Sequence, residues 1–78
     1  MTTMETLNAV FQRVFDDGGI QISREFTADD VEGWDSLSHV NLIMAVEAKF
    51  AVRFTKKELL RLRNVGDLHD AIEAKLAA

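Results

Sequence analysis

Cysteine and proline are absent from the 78-residue chain, and it holds only four glycines and one tryptophan. Without Cys there is no disulfide framework, zinc ribbon, dithiol redox pair or thiol nucleophile, and the redox compartment is left open. Basic charge is also short: nine Lys and Arg stand against 13 Asp and Glu, a net charge of −4, whereas phosphate-backbone binding wants a basic footprint, so nucleic acid is not an expected partner. No apolar run approaches the ~20 residues of a membrane span. Met1-Thr2-Thr3-Met4-Glu5 lacks the basic and apolar regions of a signal peptide, which makes a cytoplasmic location the expectation. A chain of this size buries only roughly 60% of its unfolded surface, so one domain spanning residues 1–78, held by apolar packing, is expected rather than an enzyme with a deep sealed cleft.

What is present is helical periodicity. Leu7, Val10, Phe11, Val14 and Phe15 recur at i, i+3, i+4, i+7 and i+8 and stop at Asp16-Asp17-Gly18-Gly19, which predicts a first amphipathic helix. From Gly18 to Asp35 the period is lost, and Ile20, Ile22, Phe26 and Val31 read as apolar anchors of a long loop. A second helix, the longest and most apolar, starts after Asp35 as N-cap and runs through Leu37, Val40, Ile43, Met44, Val46 and Phe50. Thr55-Lys56-Lys57-Glu58 has capping-box form and opens a brief third helix with Leu59, Leu60 and Leu62. Asn64, with Asp67 three residues on, caps a last helix whose Val65, Leu68, Ala71, Ile72 and Leu76 form one face, and the four glycines read as punctuation. The fold class is therefore all-α: a four-helix bundle of three longer helices and one short third helix, with a long loop between helices one and two.

The chemically informative stretch is Gly33-Trp34-Asp35-Ser36-Leu37-Ser38-His39-Val40. It sets a serine hydroxyl in the first turn of a helix, behind a capping acid, where free backbone N–H groups and the helix dipole favour a phosphoester. The plain alternative is that Asp35 is only a cap and Ser36 only a helix-start residue. Asp35-Ser36-Leu37, followed by Val40, Leu42, Ile43, Met44, Glu47 and Phe50, resembles the acyl carrier protein family over nearly the whole chain, including the long first loop and the short basic third helix. That resemblance implies 4′-phosphopantetheine attached to Ser36 from coenzyme A by a phosphopantetheinyl transferase, which holds the Mg²⁺, so that acyl groups ride as thioesters on a thiol the chain itself lacks. It further implies that Asp35 contacts the transferase and its metal, that Leu37, Val40, Asn41, Met44 and Glu47 meet the partner enzymes that load and process the acyl group, and that the chain acts as a carrier, mostly monomeric, rather than an enzyme. Leu37 and Met44 read equally as core residues.

Departures from the family pattern bear on partners. The acidic face of housekeeping carriers is reduced here to His39, Asn41, Ala48 and Lys49, with Glu47 the main acid, while Lys56, Lys57, Arg61 and Arg63 follow. Residues 1–50 carry three basic against nine acidic side chains, and residues 51–78 six against four. This mixed sign weakens steering toward basic enzymes and points to a specialised carrier in a polyketide-like, modified-lipid or amino-acyl pathway, within a family whose resemblance also implies fatty-acid biosynthesis. Trp34 is expected to clamp the loop onto the bundle. The acids Glu25, Asp29, Asp30, Glu32 and Asp35 read as solvated, and His39 and His69 as surface residues. A carrier also implies an adaptable interior lined by Val40, Ile43, Leu59, Leu62 and Ile72. Among rivals, a Ser36–His39 hydrolase lacks a buried acid, an oxyanion hole and a pocket. A calcium loop fails in register, with Ala28 and His39 or Arg13 at ligand positions, and no metal site is expected. An aminoacyl or peptidyl carrier, and an unmodified helical interaction module using Leu37, Val40 and Met44, stay open.

Overall fold

The computed structural model describes residues 2–27, 29–30 and 33–77. Four helices follow in order: α1 (Thr3–Val14), α2 (Ser36–Phe50), α3 (Lys56–Leu60) and α4 (Val65–Leu76), with no strand among the described residues. The expected architecture is thus present. Its starts are set by side chains satisfying the first orphan N–H groups. Asp35 accepts from Ser38 N–H at 2.9 Å, Thr55 from Glu58 N–H at 3.2 Å and Asn64 from Asp67 N–H at 2.8 Å, all as the sequence predicts. A further capping box, Thr2 with Glu5, begins α1 four residues before the apolar stripe does. Its Thr-x-x-Glu form was legible but masked by a helix start inferred from periodicity alone.

The core is built where α1, α2 and α4 meet. Leu7, Val10 and Phe11 interlock with Leu42, Ile43 and Val46 and with Val65, Leu68 and Ile72, all buried. Helix α3 contributes no fully buried residue; only Leu59, and Leu62 just beyond it, pack on the core, while Leu60 stands 78% exposed. Leu76 of the predicted α4 face, the last residue of that helix, is half exposed. One ion pair ties α3 to α4: Lys75 Nζ lies 2.8 Å from Glu58 Oε2, and it also sits over the Phe54 ring.

The loop after α1 is held by polar stitches as well as apolar anchors. Asn8 donates to the Ile20 carbonyl at 3.2 Å and accepts from Ile22 N–H at 2.7 Å, while Gln12 donates to Ile20 O at 3.0 Å. Ile20, Ile22 and Phe26 pack on the core as expected; Val31, Glu32 and Ala28 lie outside the described residues. Further along, the loop docks on α4: Val65 N–H donates to Phe26 O at 2.8 Å and Gly66 N–H to Arg24 O at 2.9 Å. The head of α4 thereby has its leading donors satisfied by loop carbonyls and by Asn64. Gly66 is therefore not punctuation. It sits buried in the first turn of α4, where a Cβ would lie 3.0 Å from the Arg24 carbonyl oxygen.

Two other expectations are corrected here. Asp30 is not merely solvated, since its Oδ2 accepts from Thr27 N–H at 2.9 Å and closes a local turn. His69 is mostly shielded, its side chain 18% exposed, with Nδ1 3.2 Å from Asp70 Oδ1 and Nε2 3.7 Å from Glu73. Asp70 in turn receives a two-pronged contact from Arg24, 3.0 and 2.8 Å, which pins loop to α4 and, with His69, holds the carboxyl well below the ordinary carboxylate range.

Candidate functional site

Helix α2 is apolar nearly all round, yet only Leu42, Ile43 and Val46 are buried. Ala45 and Phe50 pack partly buried against that core, whereas three large apolar side chains face outward: Leu37 is 72% exposed, Val40 53% and Met44 62%. This decides the open alternative for Leu37 and Met44 against core packing. It also removes Val40 from the expected interior lining, since Val40 points away from the side on which Leu42 and Val46 meet the bundle. A helix that leaves three large apolar groups in water next to one another has surface suited to contact with another molecule.

At the head of this helix, Ser36 occupies the first helical position and is exposed. Asp35 takes an extended backbone conformation, and its carboxylate accepts from Ser38 N–H. That hydrogen bond lowers the Asp35 pKa from its ordinary value. Among the described residues no loop carbonyl closes the head of α2 as Arg24 and Phe26 close that of α4. Gly33, with φ +86°, supplies the turn that delivers Trp34 and Asp35 to the helix.

Trp34 behaves as expected of a clamp. Its indole meets Phe11 edge-on at 5.3 Å and 80°, and Phe15 at 6.0 Å. His39 departs from the expectation of a solvent-facing residue. Its imidazole lies nearly parallel to the indole, at 18° with centroids 6.1 Å apart, and its Nδ1 accepts from Trp34 Nε1–H at 3.2 Å. Sequence reasoning missed this pair because residues 34 and 39 share no helix, and only the turn at Gly33 brings them together.

A cleft of about 450 Å³ opens beside the serine, lined by Trp34, Asp35, Ser36, His39, Leu62, Arg63, Asn64 and Leu68. Of the five residues expected to line an adaptable interior, Leu62 alone borders it; Ile43 and Ile72 are core residues and Leu59 packs against the core. Asn41 is exposed beside Val40. Glu47 is partly buried, and its Oε2 accepts from Phe54 N–H at 2.8 Å, so that carboxylate braces the turn into α3 in addition to whatever it meets outside. No group of three or more His, Cys, Asp or Glu side chains able to hold a metal ion occurs among the described residues. Nor, among the described residues, is any helix long and apolar enough to cross a membrane.

A small helical bundle that offers one exposed serine at a capped helix head, beside an apolar face and a shallow cleft, is a scaffold for presenting a group rather than for enclosing a reaction. No family model matches the chain. It is 34% identical over 73 residues to an acyl carrier protein of Helicobacter pylori, with 94% of each chain covered. To the acyl carrier protein of Thermotoga maritima it is 38% identical over 56 residues, 72% of this chain and 69% of that one. The solution NMR structure of a holo acyl carrier protein from Geobacter metallireducens matches with a TM-score of 0.92 and 47% identity, over 99% of this chain and 88% of that one. The chain belongs to the acyl carrier protein family, whose members are carriers rather than enzymes.

Proposed function

We propose that the protein carries acyl groups as thioesters on 4′-phosphopantetheine attached to Ser36. The observation that carries this reading is the placement of Ser36: exposed, first in α2, with the Asp35 carboxylate engaged by Ser38 N–H. The site fits such a group. The hydroxyl is open to a modifying enzyme, the head of α2 is a favourable place for a phosphodiester anion, and the cleft leaves room beside it. When bound, the group supplies the thiol that the chain lacks. In the attachment step the Ser36 Oγ forms a bond to the pantetheine-side phosphorus of coenzyme A. The phosphoanhydride bond to that phosphorus breaks, 3′,5′-ADP leaves, and the hydroxyl proton passes to the transferase or solvent. On this reading Asp35, whose pKa its hydrogen bond from Ser38 lowers, contacts the transferase and the cation that it brings.

Leu37, Val40, Asn41 and Met44 form the docking face, with Glu47 at its edge. Tethering makes each delivery intramolecular, so brief, weak contacts with each partner suffice. Lys56, Lys57 and Arg61 make no ion pair among the described residues, which supports the reading of a specialised carrier whose partners are not uniformly basic.

Intact-protein mass spectrometry after incubation with coenzyme A, Mg²⁺ and a broad-specificity phosphopantetheinyl transferase tests the proposal. One phosphopantetheinyl adduct is expected, absent from Ser36→Ala, whose circular dichroism stays that of the parent because Asp35 still caps α2. No adduct under conditions that load another carrier would favour the unmodified interaction module and its exposed α2 face.

A further inference from the structure

The Trp34–His39 pair gives the site a property that an exposed serine alone would not have. An indole N–H can only donate, so the Nδ1 that receives it carries no proton, and the single proton of the neutral imidazole resides on Nε2. The ring is held by the 3.2 Å hydrogen bond, in a plane nearly parallel to that of the indole. The indole is itself wedged against Phe11 and Phe15, rooted in α1 and its C-terminal turn. His39 thus presents one N–H from a ring whose tautomer and orientation are set by the core.

Its position relates that N–H to Ser36. The two residues are three apart on α2, one turn, and a helical side chain leans toward the N-terminus over the preceding turn. Both border the same cleft, together with Asp35, Arg63 and Asn64. Asp35 is an acceptor only, already engaged with Ser38, and cannot donate to an anion. On the carrier reading of Ser36, on which this inference rests, we infer that His39 Nε2–H donates a hydrogen bond to the phosphodiester at Ser36, with Trp34 as the positioning residue that selects the donating tautomer. The bond is charge-assisted on the acceptor side. Its effect is to hold the base of the arm against α2, so that the swinging portion begins beyond the phosphodiester.

The test uses the intact ¹⁵N-labelled protein before and after loading with coenzyme A, with the extent of loading read by mass. Long-range ¹H–¹⁵N spectra near pH 8.5, above the ordinary imidazole range, report which ring nitrogen bears the proton. Before loading, His39 should show a protonated Nε2 and a bare Nδ1; on loading its Nε2 resonance should move while those of His69, in α4, stay. The ³¹P resonance of the loaded protein should shift in His39→Phe, stay near the parent in His39→Gln, which retains a donor, and shift partway in Trp34→Phe, where the second tautomer of His39 becomes populated. A fully loaded protein with an unmoved His39 Nε2 would overturn the inference, as would a ³¹P shift produced by Arg63→Gln but not by His39→Phe. Should His39→Phe fail to fold, the parent's ring nitrogens before and after loading decide alone. Absence of any mass gain in the parent would overturn the carrier reading itself, and this inference with it.

Discussion

At Gly66 two opposing effects meet in one side chain. An alanine would raise helix propensity by up to ~1 kcal/mol, but its Cβ would lie 3.0 Å from the Arg24 carbonyl oxygen and 3.2 Å from the Arg24 Cβ. That carbonyl cannot simply retreat, because it accepts the Gly66 N–H and its residue is tied to Asp70. Overpacking of this kind costs about 1–3 kcal/mol, so Gly66→Ala should be net destabilising by on the order of 1 kcal/mol, with faster hydrogen exchange at residues 65 and 66. Urea unfolding and amide exchange check this; an unchanged midpoint would mean that the loop yields freely.

Helix α2 ends on a conformation that its sequence does not favour. Ala51 sits at φ 56°, ψ 43°, left-handed, with its N–H directed to Glu47 O; Val52 N–H reaches the same carbonyl at 3.1 Å. A left-handed non-glycine residue costs about 1–2 kcal/mol, and glycine's larger unfolded-state entropy returns about half of that. Ala51→Gly should therefore stabilise the protein by about 0.5–1 kcal/mol, a rise of several degrees in Tm for a domain this small. Thermal unfolding by circular dichroism decides it, and a lower Tm would show that the alanine methyl has a packing role outweighing its backbone strain. The device matters to the site because the turn after α2, braced by Glu47 on Phe54 N–H, leads into α3 and the residues that border the cleft.

Across the whole molecule, carboxylates act as cross-ties between segments remote in sequence. Glu58 holds Lys75 and Thr55 N–H, chiefly the former, and its pKa is lowered to about 2; Asp70 is lowered by Arg24 and then by His69. A depressed folded-state pKa contributes stability that is present above the unfolded value and is lost as pH falls through the folded one. The stability of the bundle should thus hold above about pH 4.5, the unperturbed Glu58 value, and decline from there toward about pH 2. Glu58→Gln should be less stable than the parent near neutrality, and the difference should shrink as pH falls through that window. Denaturant unfolding of both proteins from pH 7 to 2 measures it; a gap independent of pH would show that the Glu58 charge is not what binds α3 to α4.

Much of this protein is readable from its residues alone, for reasons of range. The four helices follow from apolar period and from caps that act over three residues, and both are local: Asp35, Thr55 and Asn64 satisfy N–H groups within the next turn. The candidate serine is legible for the same reason, since its exposure follows from standing just behind a cap. What the linear pattern could not decide is which side of an almost uniformly apolar α2 meets the core. Leu37, Val40 and Met44 differ little in hydropathy from Leu42, Ile43 and Val46, and only packing against α1 and α4 divides them. Likewise the Trp34–His39 bond, the closure of α4 by Arg24 and Phe26 carbonyls, and the close approach at Gly66 join groups without a shared period. Short-range hydrogen bonding and periodicity are written along the chain, whereas contacts between a loop and a helix exist only once the chain has closed on itself.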